Sequence, residues 1–258
     1  MARIPIALEL YSVRDEFARD AKGTLRAVAD MGYEGVEFAG PPKCKAEELR
    51  SFLDEYGLVC CGWHTPFELV QVGELKNTIA LNKTVGNRNI IVPGVPEEFR
   101  RSRADWLKLA EFFNELAKKL ADHDMRIGYH NHQIEFTMLD GELPWDTFFS
   151  NTDKKVIIQL DTGNALCGGG DCVSVLERYP GRAVTVHLKP YSTKLGKEDP
   201  YAGFAPLIGD DDVPWKEVFQ LCESIGGTEW YIVEYESDAF PPMEAVKRCL
   251  DRLRAMGK

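Results

Sequence analysis

The sequence contains no CxxC pair. Its seven cysteines are an odd number, and two of them, Cys60 and Cys61, are adjacent. That pattern argues against a disulfide framework and against a structural zinc site, which needs closely paired ligands. It reads instead as reduced thiols in a cytoplasmic protein, several of them buried as small apolar residues. Long apolar runs are also missing. The opening segment MARIPIALELYSV is broken by Pro5 and Glu9, so neither an export signal nor a membrane span is expected. Positive charge is scarce: 31 Lys and Arg stand against 41 Asp and Glu, for a net charge of -10. A nucleic-acid partner needs a basic face, so none is expected. Apart from Asp210-Asp211-Asp212 the acidic residues are scattered and read as a solvated surface. A dinucleotide fingerprint is absent too. The first apolar run is followed by Tyr11-Ser12-Val13-Arg14, and Gly168-Gly169-Gly170 is no GxGxxG but a flexible-loop composition.

What the chain does have is alternation. Eight strand-like runs, rich in β-branched and aromatic residues, fall at 4–11, 35–39, 58–64, 89–93, 126–132, 156–161, 183–189 and 230–236. Helical periodicity fills the gaps. Leu107, Ala110, Phe113, Leu116, Ala117 and Leu120 share a face behind a capping start at Ser102 and Asp105. Leu49, Phe52, Leu53 and Tyr56 make a second stripe. Pro214 opens a third helix with Val218, Phe219, Cys222 and Ile225 as its apolar side, and a last helix spans about 243–256. Strand–helix alternation implies parallel strands with right-handed crossovers. The length of 258 residues suits a (β/α)8 TIM barrel forming one domain over 1–258. A doubly wound sheet is the alternative. The longest irregular stretch, 190–213, reads as either a lid or a plain insertion.

Polar residues gather where the strand-like runs end. Glu135 in YHNHQIEF, Asp161 in VIIQLDTGN, His187 in AVTVHLKP and Glu234 in WYIVEYE lie at four successive ends. Such ends converge on one mouth in a parallel barrel. Glu9, Glu37 and His64 end the first three runs, and His130 and His132 share a face of the fifth. Three carboxylates with one imidazole suit a single divalent cation: Mn²⁺ first, with Mg²⁺, Co²⁺, Zn²⁺ or Fe²⁺ also compatible. Two open positions would take adjacent oxygens of a hydroxy-ketone and stabilise an enediolate, while a carboxylate or histidine moves the proton. On the fifth run parity sets Glu135 opposite His130 and His132, so His132 rivals Glu135 as ligand. Lys189 is the basic residue nearest the mouth, where no arginine cluster marks a phosphate. Tyr11, Phe38, Trp63 and Trp145 stand near loop starts, where aromatics either stack on a sugar or pack beneath loops.

With those residues in hand, the chain resembles the sugar phosphate isomerase/epimerase family of xylose isomerase-like TIM barrels. The likeness runs through LELYSVRDE, GYEGVEFAG, WHTPFE, YHNHQIEF, QLDTGNA, VHLKP and IVEYE, in order along essentially the whole chain. The resemblance implies one metal ion held by Glu135, Asp161, His187 and Glu234. It implies Glu135 and Glu234 as the acid–base pair, with His132 as a rival base; Lys189, at the candidate mouth, is a further catalytic candidate. Glu9, Glu37, His64, His130 and Trp63 are then expected to contact substrate. The leading expectation is a sugar isomerase or epimerase of carbohydrate metabolism, acting beside a carbonyl. The first alternative is a lyase or dehydratase of a keto-sugar, keto-inositol or 3-keto-glycoside. A non-catalytic sugar-binding barrel is the alternative of another class. Endonuclease IV shares the barrel but needs more histidines than the five present. Barrels of this kind often pair, so a homo-oligomer is compatible with the sequence.

Overall fold

The computed structural model describes residues 3–41 and 44–258. Eight parallel strands close in sequence order into a barrel. They are β1 (Ile6–Glu9), β2 (Gly35–Ala39), β3 (Val59–His64), β4 (Asn89–Val92), β5 (Arg126–His130), β6 (Ile157–Asp161), β7 (Thr185–Leu188) and β8 (Trp230–Val233). β8 returns to pair with β1. Every expected strand is present, several of them trimmed at their ends. β1 stops at Glu9 because that side chain caps the next turn, accepting from the Tyr11 N–H. β5 stops at His130, short of His132, and a 3-10 turn over Ile134–Phe136 follows.

Alternation along each strand sorts the side chains. Leu8, Val36, Trp63, Tyr129, Ile158, Leu160, Val186, Tyr231 and Val233 join the main core between barrel and helices. Inside, Ala7, Cys61 and Ile232 form one small apolar cluster, and Ile91, Ile157 and Val184 another. Nearer the C-terminal ends of the strands the filling turns polar. Gln159 and Thr185 are buried there, as are Glu9, Glu37, His64, His130, Asp161, His187 and Glu234. Gly62 makes room for one of them, since a Cβ at that position would stand 2.0 Å from Oε1 of Glu37.

The long helix Arg103–Ala121 starts as expected, with the Ser102 hydroxyl accepting from the Asp105 N–H. Its buried face carries Trp106 and Leu109 where Leu107 was expected, and otherwise matches. The helix Trp215–Leu221 gives way to a π-turn over Cys222–Gly226, which leaves Ile225 exposed on the surface. Gly168 and Gly170 are not loose: a Cβ on either would collide with Gln133 or Phe136. Their glycines permit a close approach of two loops. The stretch after β7 is ordered as well. Short turns at Thr193–Gly196 and Pro200–Phe204 fold over Tyr191, whose ring lies too close to Gly196 and Gly203 for either to bear a side chain. No helix among the described residues is long and apolar enough to cross a membrane.

Candidate active site and metal centre

The register places Asp161 beside His187 and Glu9 beside Glu37. Two asparagines fix the ends of β5 and β6. The Asn131 amide donates to the Asp161 carbonyl at 3.1 Å and its oxygen accepts from the Asp161 N–H at 2.8 Å. Asn164 donates its backbone N–H to Oδ1 of Asp161 at 2.7 Å, and its side chain donates to the Asn131 carbonyl. Oδ2 of Asp161 is buried with no partner.

Around that oxygen His130, Asp161, His187 and Glu234 each bring one donor atom within 4.8 Å of the others. A second such set, Glu9, Glu37, His64 and His187, lies alongside. His187 links the two, with Nε2 at 2.5 Å from Glu37 and Nδ1 at 2.6 Å from Glu234. Burial alone would lower the His187 pKa, but the two carboxylates outweigh it and hold it at about 10. His64 also faces Glu37, at 3.5 Å, but burial outweighs that charge and lowers it; burial, with the neighbouring imidazoles, pushes His130 further down. Burial raises Asp161 well above the usual carboxylate range. Glu234 goes the other way: burial opposes it, but Lys189 and His187 hold it well below that range.

Lys189 is buried, donating to Glu234 at 3.2 Å and to Glu236 at 2.9 Å, and lying 3.9 Å from Oδ2 of Asp161. Above it the mouth divides into two cavities of about 620 and 750 Å³ that share His132 and Glu236 as walls. The first also has Tyr11, His64, His130 and Glu234 in its lining; the second has Lys189, Asn164, Asp199, Tyr201 and Phe204. The His132 ring opens onto this space. Desolvation in the recess and the Lys189 cation lower its pKa to about 4. Glu236 moves up to about 7, through burial and the neighbouring Glu234 charge.

The expected site residues divide accordingly. Asp161, His187 and Glu234 come together, and the residue that β5 adds to them is His130. Glu135 lies apart from this set: its carboxylate accepts from the Tyr129 hydroxyl at 2.8 Å and the His132 N–H at 2.7 Å. The cause is local, because β5 ends at His130 and the following turn directs Glu135 away from the cluster, toward the Tyr129 hydroxyl. Glu9, Glu37 and His64 sit inside the barrel beside His187. Trp63 does not reach the mouth. Its neighbour His64 points inward, so alternation sends Trp63 out into the core, where it packs on Phe38 and donates to the Gly40 carbonyl. Trp145 is core too, and of the four aromatics only Tyr11 lines the larger cavities. Two residues here were not among the expected site residues, although strand parity sets each on the same face as a candidate ligand. Glu236 shares a strand face with Glu234, a signal that was present but unused. Gln159 carries no charge to attract notice.

Comparison with known proteins agrees with this architecture. The family model described as xylose isomerase-like TIM barrel matches residues 25–256. The chain belongs to that family. Rhizopine catabolism protein MocC of Rhizobium meliloti is 23% identical over 83% of this chain and 74% of its own length. An inosose dehydratase of Histophilus somni is 29% identical over 82% of this chain and 80% of its own. Among solved structures, a sugar phosphate isomerase/epimerase of Parabacteroides distasonis superposes with a TM-score of 0.83 at 22% identity, covering 99% of this chain and 97% of that one. The IolI protein with a bound zinc atom gives 0.77 at 12% identity, covering 98% and 97%. At those identities the structural matches speak for the fold.

Proposed function

We propose that this xylose isomerase-like barrel is a metal-assisted lyase that dehydrates a neutral polyhydroxylated ketone, a keto-inositol or keto-sugar. The observation that carries the metal is the orphaned Oδ2 of Asp161. A buried polar oxygen without a partner is costly, and here it faces donor atoms of two histidines and a glutamate. The donor set therefore fits a divalent cation, with His130, Asp161, His187 and Glu234 as its holders. Mn²⁺, Mg²⁺, Co²⁺, Zn²⁺ and Fe²⁺ all suit such nitrogen and oxygen ligands. Bound there, the ion would polarise the substrate carbonyl as a Lewis acid.

The chain's own residues supply the proton movements. His132, kept neutral, takes the proton from the carbon next to the carbonyl. The electron pair of that C–H bond forms the C=C bond as the C–O bond on the next carbon breaks. Glu236, whose pKa of about 7 leaves it partly protonated at neutral pH, gives its proton to the departing hydroxyl, which leaves as water. Lys189 orients Glu236 and Glu234 and compensates their charge. Asp199, Asp238 and Glu236 outnumber Lys189 in the second cavity, which disfavours a phosphorylated substrate.

The relatives named inosose dehydratase support elimination over the isomerase reading. An isomerase or epimerase shares the first step and is favoured by the name of the P. distasonis structure. The test is a panel of keto-inositols and ketoses with Mn²⁺, followed by proton NMR and by the ultraviolet absorbance of the conjugated product. Loss of water with a new C=C bond is expected, slowed at least 100-fold in His132→Asn, in line with the usual contribution of a general base of about 10²–10⁴. Epimerised or isomerised ketose with no loss of water would replace the lyase by its rival.

A further inference from the structure

Gln159 lies two residues before Asp161 on the inward face of β6, fully buried. Its amide makes four kinds of contact. Nε2 donates to Glu37, at 2.9 and 3.2 Å from the two carboxylate oxygens, and to the Thr185 hydroxyl at 2.9 Å. Oε1 lies 2.6 Å from Nε2 of His64 and 3.0 Å from Nδ1 of His130. Glu37 decides which end of the amide is which. Turning the carbonyl toward it would set three acceptor oxygens together with no hydrogen between them, so the NH2 must face Glu37. The carbonyl then faces both rings, and each ring must supply an N–H. An amide has two hydrogens to give and two lone pairs to fill, and here every one is used.

The consequence is specific to each ring. A neutral imidazole carries one N–H, so His64 bears its hydrogen on Nε2 and His130 on Nδ1. Nε2 of His130 is therefore a bare lone pair, and it lies 3.8 Å from the unpartnered Oδ2 of Asp161. Two facing lone pairs repel unless a proton or a cation stands between them, and 3.8 Å is too long for a hydrogen bond. We propose that Gln159 is the positioning residue of this centre: its amide locks His130 in the Nδ1–H tautomer and aims the bare Nε2, with Asp161, at a divalent cation. The same amide steadies Glu37, which in turn holds His187. The cation half of this inference rests on the metal site proposed above; the tautomer half does not.

The experiment uses the full-length, metal-free protein labelled with ¹⁵N-histidine, read by long-range proton–nitrogen correlation. His130 should show a protonated Nδ1 and a bare Nε2, and His64 the reverse. A His130 ring protonated on Nε2 overturns the inference, whatever the protein turns over. Gln159→Leu, which cannot accept from either ring, should lose this pattern. By calorimetric titration it should bind Mn²⁺ about 10–100-fold more weakly, the usual cost of removing an outer partner of a metal ligand. Unchanged affinity in a folded Gln159→Leu also overturns it. Should that variant fail to fold, the wild-type spectrum still decides. The expected tautomers and Mn²⁺ uptake in a protein that dehydrates nothing would support the role of Gln159 and refute only the lyase reading.

Discussion

Replacing Asp161 with asparagine removes a charge while keeping the shape of the side chain, and the structure gives opposite expectations for it with and without metal. Oδ1 of Asp161 caps the helix Thr162–Cys167 through the Asn164 N–H, and asparagine caps as well as aspartate. Oδ2 is buried and unpartnered, which costs about 1–3 kcal/mol. In chelator, Asp161→Asn should therefore melt at or above the wild type, since its amide can donate to a neighbouring acceptor. Adding Mn²⁺ reverses the order. At a free concentration a hundred times Kd the wild type gains about 2.7 kcal/mol, and the variant, lacking the ligand, gains nothing. For a chain near this size each kcal/mol moves Tm by about 2–4 °C, so the wild-type shift is roughly 5–11 °C. Differential scanning calorimetry with chelator and with Mn²⁺ measures both arms. Equal shifts in the two proteins would refute the ligand role of Asp161. A variant that melts well below the wild type in chelator would refute the account of the orphaned oxygen.

Three further outcomes are expected. His130→Asn should abolish the Mn²⁺-dependent shift, whereas Glu135→Gln should keep it and lose about 1–3 kcal/mol through its contacts to Tyr129 and His132; metal analysis showing the reverse would return Glu135 to the centre. In metal-free protein, the Glu37 and His187 contributions to stability should share a plateau between about pH 4.5 and 6.5. Glu37, lowered to about 2 against burial by His64 and His187, adds stability that is lost as pH falls below the plateau. His187, raised to about 10 by Glu37 and Glu234 against burial, adds stability that is lost as pH rises through that value. Urea midpoints that stay flat from pH 6.5 to 10 would contradict it. Gly62→Ala should cost about 1–3 kcal/mol in urea unfolding and weaken Mn²⁺ binding, because the new methyl takes the space of the Glu37 carboxylate; an unchanged Mn²⁺ affinity would show that Glu37 has nothing to do with holding His187.

The barrel was legible because its signal is periodic and repeated: eight apolar runs, each bounded by turn residues, leave few other topologies. Strand parity likewise set Asp161, His187 and Glu234 on one face of their strands, but it was not carried through on β3, where Trp63 was expected at the mouth beside His64 and packs in the core instead. It could not say where a strand ends. That single unknown governs β5, where stopping at His130 rather than His132 decides which polar residue of YHNHQIEF joins the cluster. Gln159 was passed over for another reason. A search for titratable groups passes over an amide, although buried hydrogen-bond geometry gives that amide control over two groups that do titrate.

The small apolar clusters inside the barrel carry a consequence for traffic. Ala7, Cys61 and Ile232, with Ile91, Ile157 and Val184, stop the lower end of the axis with side chains that neither accept nor pass a proton well. Among the described residues, the polar groups above them open toward water on the side of the mouth, where the two cavities lie. On the function proposed above, substrate, product, cation and exchanged hydrogen would share that one side, so whatever fills it would also set the clock for the others.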